Sequence, residues 1–271
     1  MSVNTGSETL HQVFHHIADR HVNELGMAID RYRRKISHQI ATLHGHVIQH
    51  GPFAGMSIDE ASHWSSGDKA TMVLGLYECE VLKVLTQLSS SYGLFINLGA
   101  ADGYYAIGSV FGGLFPRAVA FEITQEGQSS IRLSAEKNKV SHLVQVLGKA
   151  EKNFTDNFSR DELHGAVVLC DIEGGEFDIF DSNSFRALKD CSLIVELHEW
   201  DQDAKQRVEQ LIERSSSTHL HYFLRTGQRD LTLFPELQNL DDNTRWLLCS
   251  EGRPYHMRWV VFGPKLTNER E

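Results

Sequence analysis

Apolar residues follow two regimes along the chain, divided near Tyr92. Before it, Leu10, Val13, Phe14, Ile17, Leu25, Ile29, Tyr32, Ile36, Ile40, Leu43 and Val47 recur at three- and four-residue steps. That spacing predicts one long amphipathic helix, or two, over about Thr9 to His50. Gly26 and His44-Gly45-His46 are the expected breaks. A loop at Gly51-Pro52-Phe53-Ala54-Gly55-Met56 and the segment Ser57 to His63 follow, then a helix from about Lys69 to Leu88. Beyond Tyr92 the apolar runs shorten. Leu94-Phe95-Ile96, Ala118 to Phe121, Leu143 to Leu147, Ala166 to Cys170 and Leu193-Ile194-Val195 read as strands. Between them lie helical stretches at Tyr104 to Val110, Thr124 to Lys139 (with Thr124 as cap), Glu176 to Leu188 and Asp203 to Ile212. Strands that are apolar throughout, alternating with helices, predict an α/β fold with a mostly parallel sheet covered on both faces. His219 to Leu224 and Arg258 to Phe262 add a final antiparallel hairpin.

The change of regime suggests an N-terminal helical region, residues 1–90, acting as a lid or dimer contact, ahead of an α/β unit over 91–271. Acidic residues exceed basic ones, for a net charge of −10. No broad basic footprint for phosphate is therefore expected, which argues against a nucleic-acid partner. The apolar stretch from Val110 to Phe121 is interrupted by Pro116 and Arg117 and is too short to span a bilayer. Residues 1–7 show no signal-peptide pattern. Cys79, Cys170, Cys191 and Cys249 have no zinc-type spacing, and a cytoplasmic location is expected.

Candidate chemistry begins at Asn97-Leu98-Gly99-Ala100-Ala101-Asp102-Gly103-Tyr104-Tyr105, where the first strand gives way to a helix. In an open α/β sheet, ligands bind beyond the carboxyl ends of the strands. Gly99 lets the chain turn sharply and a ligand approach without a Cβ in the way. Gly103 does the same at a helix start, where free N–H groups favour a carboxylate. A dinucleotide site carries G-x-G-x-x-G, but the second glycine position here is Ala101. That weakens a hydride-transfer reading. Glu122 closes the second strand, where an acidic side chain accepts from both ribose hydroxyls of S-adenosylmethionine (SAM) or NAD. Lys149-Ala150-Glu151, after the third strand, falls where an adenine would lie.

The fourth strand ends in Asp171-Ile172-Glu173-Gly174-Gly175-Glu176 and the fifth in Glu196-Leu197-His198-Glu199-Trp200. Parallel pairing brings both ends to the rim that carries the glycine turn. His198 is the side chain best suited to take a hydroxyl proton at neutral pH. Asp171 would orient substrate near the reacting centre, or cap the next helix. Asp171, Glu173, Glu196 and His198 could also bind a divalent cation, but oxygen-ligand sites have no fixed sequence ruler, and no metal ligand is assigned from spacing alone. His11, His15, His16 and His21 read as a solvated helix face. Arg253 would either pair an acidic substrate group or bridge to Glu251.

Four segments together resemble the FkbM-type class I methyltransferases: the turn Asn97 to Tyr105, Phe121-Glu122, Cys170 to Glu176 and Ile194 to His198. The resemblance covers about Leu94 to Trp200. It implies a seven-stranded Rossmann-like sheet with an N-terminal helical extension, SAM as methyl donor, and O-methylation of a small hydroxylated metabolite or sugar. By position, Gly99, Asp102 and Gly103 would line the methionine end of SAM, Glu122 the ribose and Glu151 the adenine. Asn97, Ala100, Tyr104, Ala150 and Asp171 complete the expected cofactor contacts, and His198, Asp171 and Glu173 the catalytic set. Asn97 departs from the family, which usually has an acidic residue there; the amide keeps an acceptor and loses the charge. An NAD-linked oxidoreductase and a non-catalytic binding protein of the same fold are the alternatives.

Overall fold

The buried strands arise where the apolar runs fall. In the computed structural model, which describes residues 5–60, 66–91, 93–253 and 257–265, with side chains from residue 24 onward, four strands are buried at every position. They are β1 (Leu94–Leu98), β2 (Ala118–Phe121), β4 (Ala166–Cys170) and β5 (Ser192–Leu197). With β3 (Val144–Leu147), β6 (His219–Arg225) and β7 (Arg258–Pro264) they form one sheet in the order β3-β2-β1-β4-β5-β7-β6. The strands from β3 to β5 are parallel. The expected hairpin of β6 and β7 is present, but β7 inserts between β5 and β6 and runs antiparallel to both.

Ten helices accompany the sheet among the described residues: α1 (Thr5–Leu43), α2 (Lys69–Val73), α3 (Cys79–Leu88), α4 (Tyr104–Phe111), α5 (Gln125–Lys137), α6 (Arg160–Leu163), α7 (Glu176–Ile179), α8 (Ser182–Ala187), α9 (Ala204–Ser215) and α10 (Asp242–Leu248). Alternation along each strand sorts side chains to two cores. Phe95, Ala118, Ala120, Val167, Leu169 and Ile194 pack with α3, α4 and α5. Leu94, Ile96, Leu98, Val168 and Val195 pack with Phe177 and Ile179 of α7, Phe185 of α8, and Val208 and Leu211 of α9.

Local chemistry explains where the elements depart from the periodic pattern. α1 runs unbroken through Gly26 and stops at Gly45 and His46, both in the left-handed region. The expected helix over 69–88 is two helices. Gly75, at φ +67°, turns the chain where a Cβ would lie 2.3 Å from the His50 carbonyl oxygen. The apolar spacing continues across that turn and conceals it. The stretch 176–188 likewise divides, because Asp181 accepts from Asn183 N (2.8 Å) and Ser184 N (2.9 Å) and starts α8. Thr124 caps α5 as expected, accepting from Gly127 N at 3.0 Å.

Residues before β1 join the same packing. Phe53, Met56, Val81 and Leu85 enter the α4–α5 core, and Ser57 exchanges two 2.8 Å hydrogen bonds with Asn138 beyond α5. Ile36 and Ile40 of α1 form a third cluster with Leu74, Phe234, Leu237 and Leu248. Arg33, buried, ties α1 to the Gly67 carbonyl, the Asp68 carboxylate and the Ser250 carbonyl. Among the described residues no helix is long and apolar enough to cross a membrane.

Candidate active site

The turn after β1 is held open by backbone geometry that few residues tolerate. Gly99 has φ +77°, and a Cβ there would stand 1.7 Å from the Asp171 carbonyl oxygen at the end of neighbouring β4. Its N–H and that of Ala100 both reach the Phe121 carbonyl, at 3.0 and 2.9 Å, tying the turn to β2. Ala101 is left-handed at φ 50°, and its N–H donates to Glu122 Oε2 at 2.9 Å. Glu122 Oε1 accepts from Thr124 N and Oγ1 at 2.8 and 2.7 Å. The buried glutamate therefore fixes the turn as well as facing the space beside it.

That space is a cavity of about 650 Å³ above the carboxyl ends of β1, β2 and β4. Of the expected cofactor contacts, Asn97, Gly99, Ala100, Asp102, Tyr104, Glu122, Ala150, Glu151 and Asp171 line it. Gly103 is set apart from its wall. It has φ +91° and backs onto Ile107 and Ile131, so its glycine serves close packing at the start of α4. Asn97 Nδ2 and the Tyr104 hydroxyl are buried without a hydrogen-bond partner. Buried donors are rarely left unpaired, and both residues border this cavity. Glu151 is exposed and lies 3.1 Å from Lys149 Nζ.

A second cavity, about 340 Å³, adjoins the first and shares Tyr77, Asp171 and Glu173 with it. Its other walls are Asp68, Glu196, His198, Trp200, Glu251, Arg253 and Met257. His198 follows β5 directly, with its side chain 1% exposed. Nδ1 lies 3.1 Å from Glu176 Oε1, which also accepts the His198 backbone N–H at 2.9 Å. Glu176 is fully buried, and its other oxygen accepts from Gly174 N. The opposite ring atom, Nε2, faces Asp171 Oδ1 at 3.4 Å and Glu173 Oε2 and Glu196 Oε2 at 3.6 Å each. Asp171 does not cap α7, whose N-cap residue is Gly175. Glu173 sits in the left-handed region at φ 53°, a strained position for a residue with a side chain.

Arg253 serves carboxylates within the protein. It pairs with Glu251 at 2.9 Å and, more closely, with Glu78 and Glu196. Tyr105 adds a 2.5 Å hydrogen bond to Glu78. Even so, acidic groups outnumber cations here. Burial, then the charge of Glu196, pushes Glu78 up to about 8. Burial, then Asp171, does the same to Glu196, to about 8. Burial, then Glu78, raises Asp171 to about 7. Burial pulls His198 down, but the hydrogen bond and charge of Glu176 outweigh it, and the imidazole ends above its ordinary value.

The structure thus brings Asp171, Glu173 and His198 together in the wall of the smaller cavity, next to the glycine-turn cavity. Sequence reasoning missed Tyr77, Glu78 and the positioning of His198 by Glu176. Tyr77 and Glu78 precede α3, far from any motif, and no local pattern marks them. Glu176 was visible within its motif, but its bond to His198 spans 22 residues. The histidines at 11, 15, 16 and 21 lie outside the residues whose side chains are described.

The sheet order with its reversed seventh strand is that of the Rossmann-like methyltransferase fold. The chain is similar in structure to the METTL16 methyltransferase domain (crystal form 2), at TM-score 0.50 and 13% identity, over 77% of this chain and 73% of that one. It is equally similar to a human methyltransferase 10 domain containing protein, at TM-score 0.50 and 14% identity, over 77% and 88% of the two chains. At these identities the likeness is one of fold. No protein-family profile matches the sequence, nor does any curated protein sequence.

Proposed function

We propose that the protein transfers the methyl group of SAM to a hydroxyl of a small metabolite or sugar. The observation that carries this reading is the pair of adjoining cavities. One is built on the glycine turn, the other on His198 and acidic side chains, and Asp171 stands in the wall of both. SAM suits the first. Glycine at 99 clears its approach, Glu122 is placed for ribose hydroxyls, and Asn97 Nδ2 and the Tyr104 hydroxyl are donors in need of partners. A dinucleotide suits it less. The position where a second glycine would meet a pyrophosphate is Ala101, whose N–H is already committed to Glu122.

The smaller cavity suits the acceptor. Its described wall is mostly acidic and its arginine is already paired with carboxylates, which favours a neutral hydroxylated molecule over nucleic acid. With Nδ1–H directed at Glu176, Nε2 of His198 carries the lone pair and takes the hydroxyl proton. The acceptor oxygen then bonds to the methyl carbon as the carbon–sulfur bond breaks, its electron pair going to sulfur. Asp171 orients the acceptor, and in-line placement supplies much of the acceleration. The resemblance to FkbM-type enzymes in the segments lining the first cavity supports the same reading. Incubation with methyl-labelled SAM and pooled hydroxylated metabolites should label a small molecule through an ether bond. Label appearing only on nitrogen, or on none of them, would count against it.

We further propose that the N-terminal region covers the site and pairs two chains. Asp68, Met72 and Tyr77 already wall the cavities, while Leu25 and Ile29 of α1 are 60% and 45% exposed, one helical turn apart. Light scattering should find a dimer that Leu25→Ser with Ile29→Ser converts to an active monomer; a monomeric wild type at assay concentration ends the idea. A cytoplasmic setting accords with four free cysteines, three of them buried.

A further inference from the structure

The acidic cavity presents an arrangement that proton transfer alone does not account for. Glu176 fixes the imidazole of His198 from behind, holding Nδ1 at 3.1 Å. A carboxylate on one ring nitrogen is the usual way in which a ligating histidine is oriented and its other nitrogen kept as a lone pair. That lone pair looks onto Asp171 Oδ1, which is buried and has no hydrogen-bond partner. It also looks onto Glu196 Oε2, whose sister oxygen is occupied by Arg253. Three electron-rich atoms thus converge, and among the described residues lining the cavity the arginine, Arg253, is spent on carboxylates around their edge.

The spacing has a further meaning. Ligands ~2.1 Å from a tetrahedral ion stand ~3.4 Å from one another. Nε2 lies 3.4 Å from Asp171 Oδ1 and 3.6 Å from Glu196 Oε2, and the three ligand atoms fall within 4.8 Å of one another. Glu173, two-thirds exposed and 3.6 Å from Nε2, can close the set or yield its place. One imidazole with carboxylates suits a first-row transition ion rather than magnesium or calcium, which prefer oxygen throughout.

We propose that Asp171, Glu196 and His198 bind one divalent transition-metal ion, Mn²⁺ or Zn²⁺ in class, at the junction of the two cavities. Binding does not depend on the methyl-transfer reading, but the ion's role does. Seated there, it takes the acceptor hydroxyl as a further ligand and lowers its pKa. The O–H bond breaks, the proton passes to Glu173 or to water, and the oxygen attacks the methyl carbon as before. His198 is then a ligand, and the ion does the work assigned above to the bare imidazole. A vicinal diol, able to offer two oxygens to one ion, is the acceptor that gains most.

The test uses full-length protein stripped with a chelator. Mn²⁺ is titrated in while the free-ion resonance is followed, with a parallel Zn²⁺ titration by calorimetry and SAM calorimetry on the same sample. The expected result is saturable binding of one ion per chain. It should be lost in His198→Ala and Glu196→Gln, and weakened about 10- to 100-fold in Glu176→Gln, which meets the ring at Nδ1, away from the ligating Nε2. Circular dichroism identifies any variant that fails to fold, and Asp171→Asn is the reserve. Equal binding by wild type and folded His198→Ala overturns the site. So does binding of SAM with no saturable binding of either ion, an outcome that leaves the methyl-transfer reading standing. Ion binding without SAM binding supports the site and removes that reading.

Discussion

Replacing Gly99 with alanine is expected to weaken SAM binding by about 100-fold or more. A Cβ at this position would stand 1.7 Å from the Asp171 carbonyl oxygen, with Ile172 Cγ2 at 3.0 Å. The first obstacle is backbone, held because Asp171 N donates to the Leu98 carbonyl within the β1–β4 pairing. The turn must move away from β4, and Gly99, Ala100 and Ala101 form part of the wall of the cavity that would receive the cofactor. Backbone displacement by an inserted methyl costs typically 1–3 kcal/mol, and holding a non-glycine residue at φ +77° adds about 1–2 kcal/mol. A loss of roughly 3 kcal/mol, expressed in binding, is about two orders of magnitude in Kd. Gly148→Ala is the control. Its Cβ meets nothing within 4 Å, so affinity should stay within about twofold, the range of an ordinary surface change. Calorimetry on both variants decides it, and near-wild-type affinity in folded Gly99→Ala would remove the turn from the binding site.

His198→Ala should lower turnover by about 10²- to 10⁴-fold, the usual cost of losing a positioned base. SAM affinity should barely change, because His198 lines the smaller cavity and is absent from the wall of the larger one. Asp171→Asn should reduce turnover comparably and also shift SAM affinity, since Asp171 borders both cavities. A histidine that merely packs against Trp200, whose ring centre is 4.8 Å away, would show a loss of stability with turnover largely kept. Single-turnover rates at saturating SAM separate the two cases. Near-full activity in His198→Ala would mean that neither the imidazole nor an ion it holds removes the proton.

The sheet was legible because its central strands are buried on both faces. Runs such as Ala118–Phe121 and Ala166–Cys170 have no polar residue to blur their ends, and both match the structure. Element ends were less legible where one turn decided them. Nothing in the apolar spacing over 69–88 reveals that Gly75 must pass close to the His50 carbonyl. Of the site, the sequence showed what each strand end carries: Glu122, Asp171, Glu173 and His198 all follow strands. It could not show what joins those ends to the rest of the chain. The contacts from Arg253 to Glu78 and Glu196 span 175 and 57 residues. Likewise Gly103 shares a motif with Gly99, yet only the packing on Ile107 and Ile131 distinguishes a packing glycine from one facing the cavity.

Binding of SAM tests the central claim most directly. Wild-type protein titrated by calorimetry with SAM, with its demethylated product and with NAD should bind the first two saturably and NAD weakly or not at all. Glu122→Ala should weaken SAM binding in the same experiment. Tight binding of NAD with none of SAM would contradict the account and return the larger cavity to a dinucleotide.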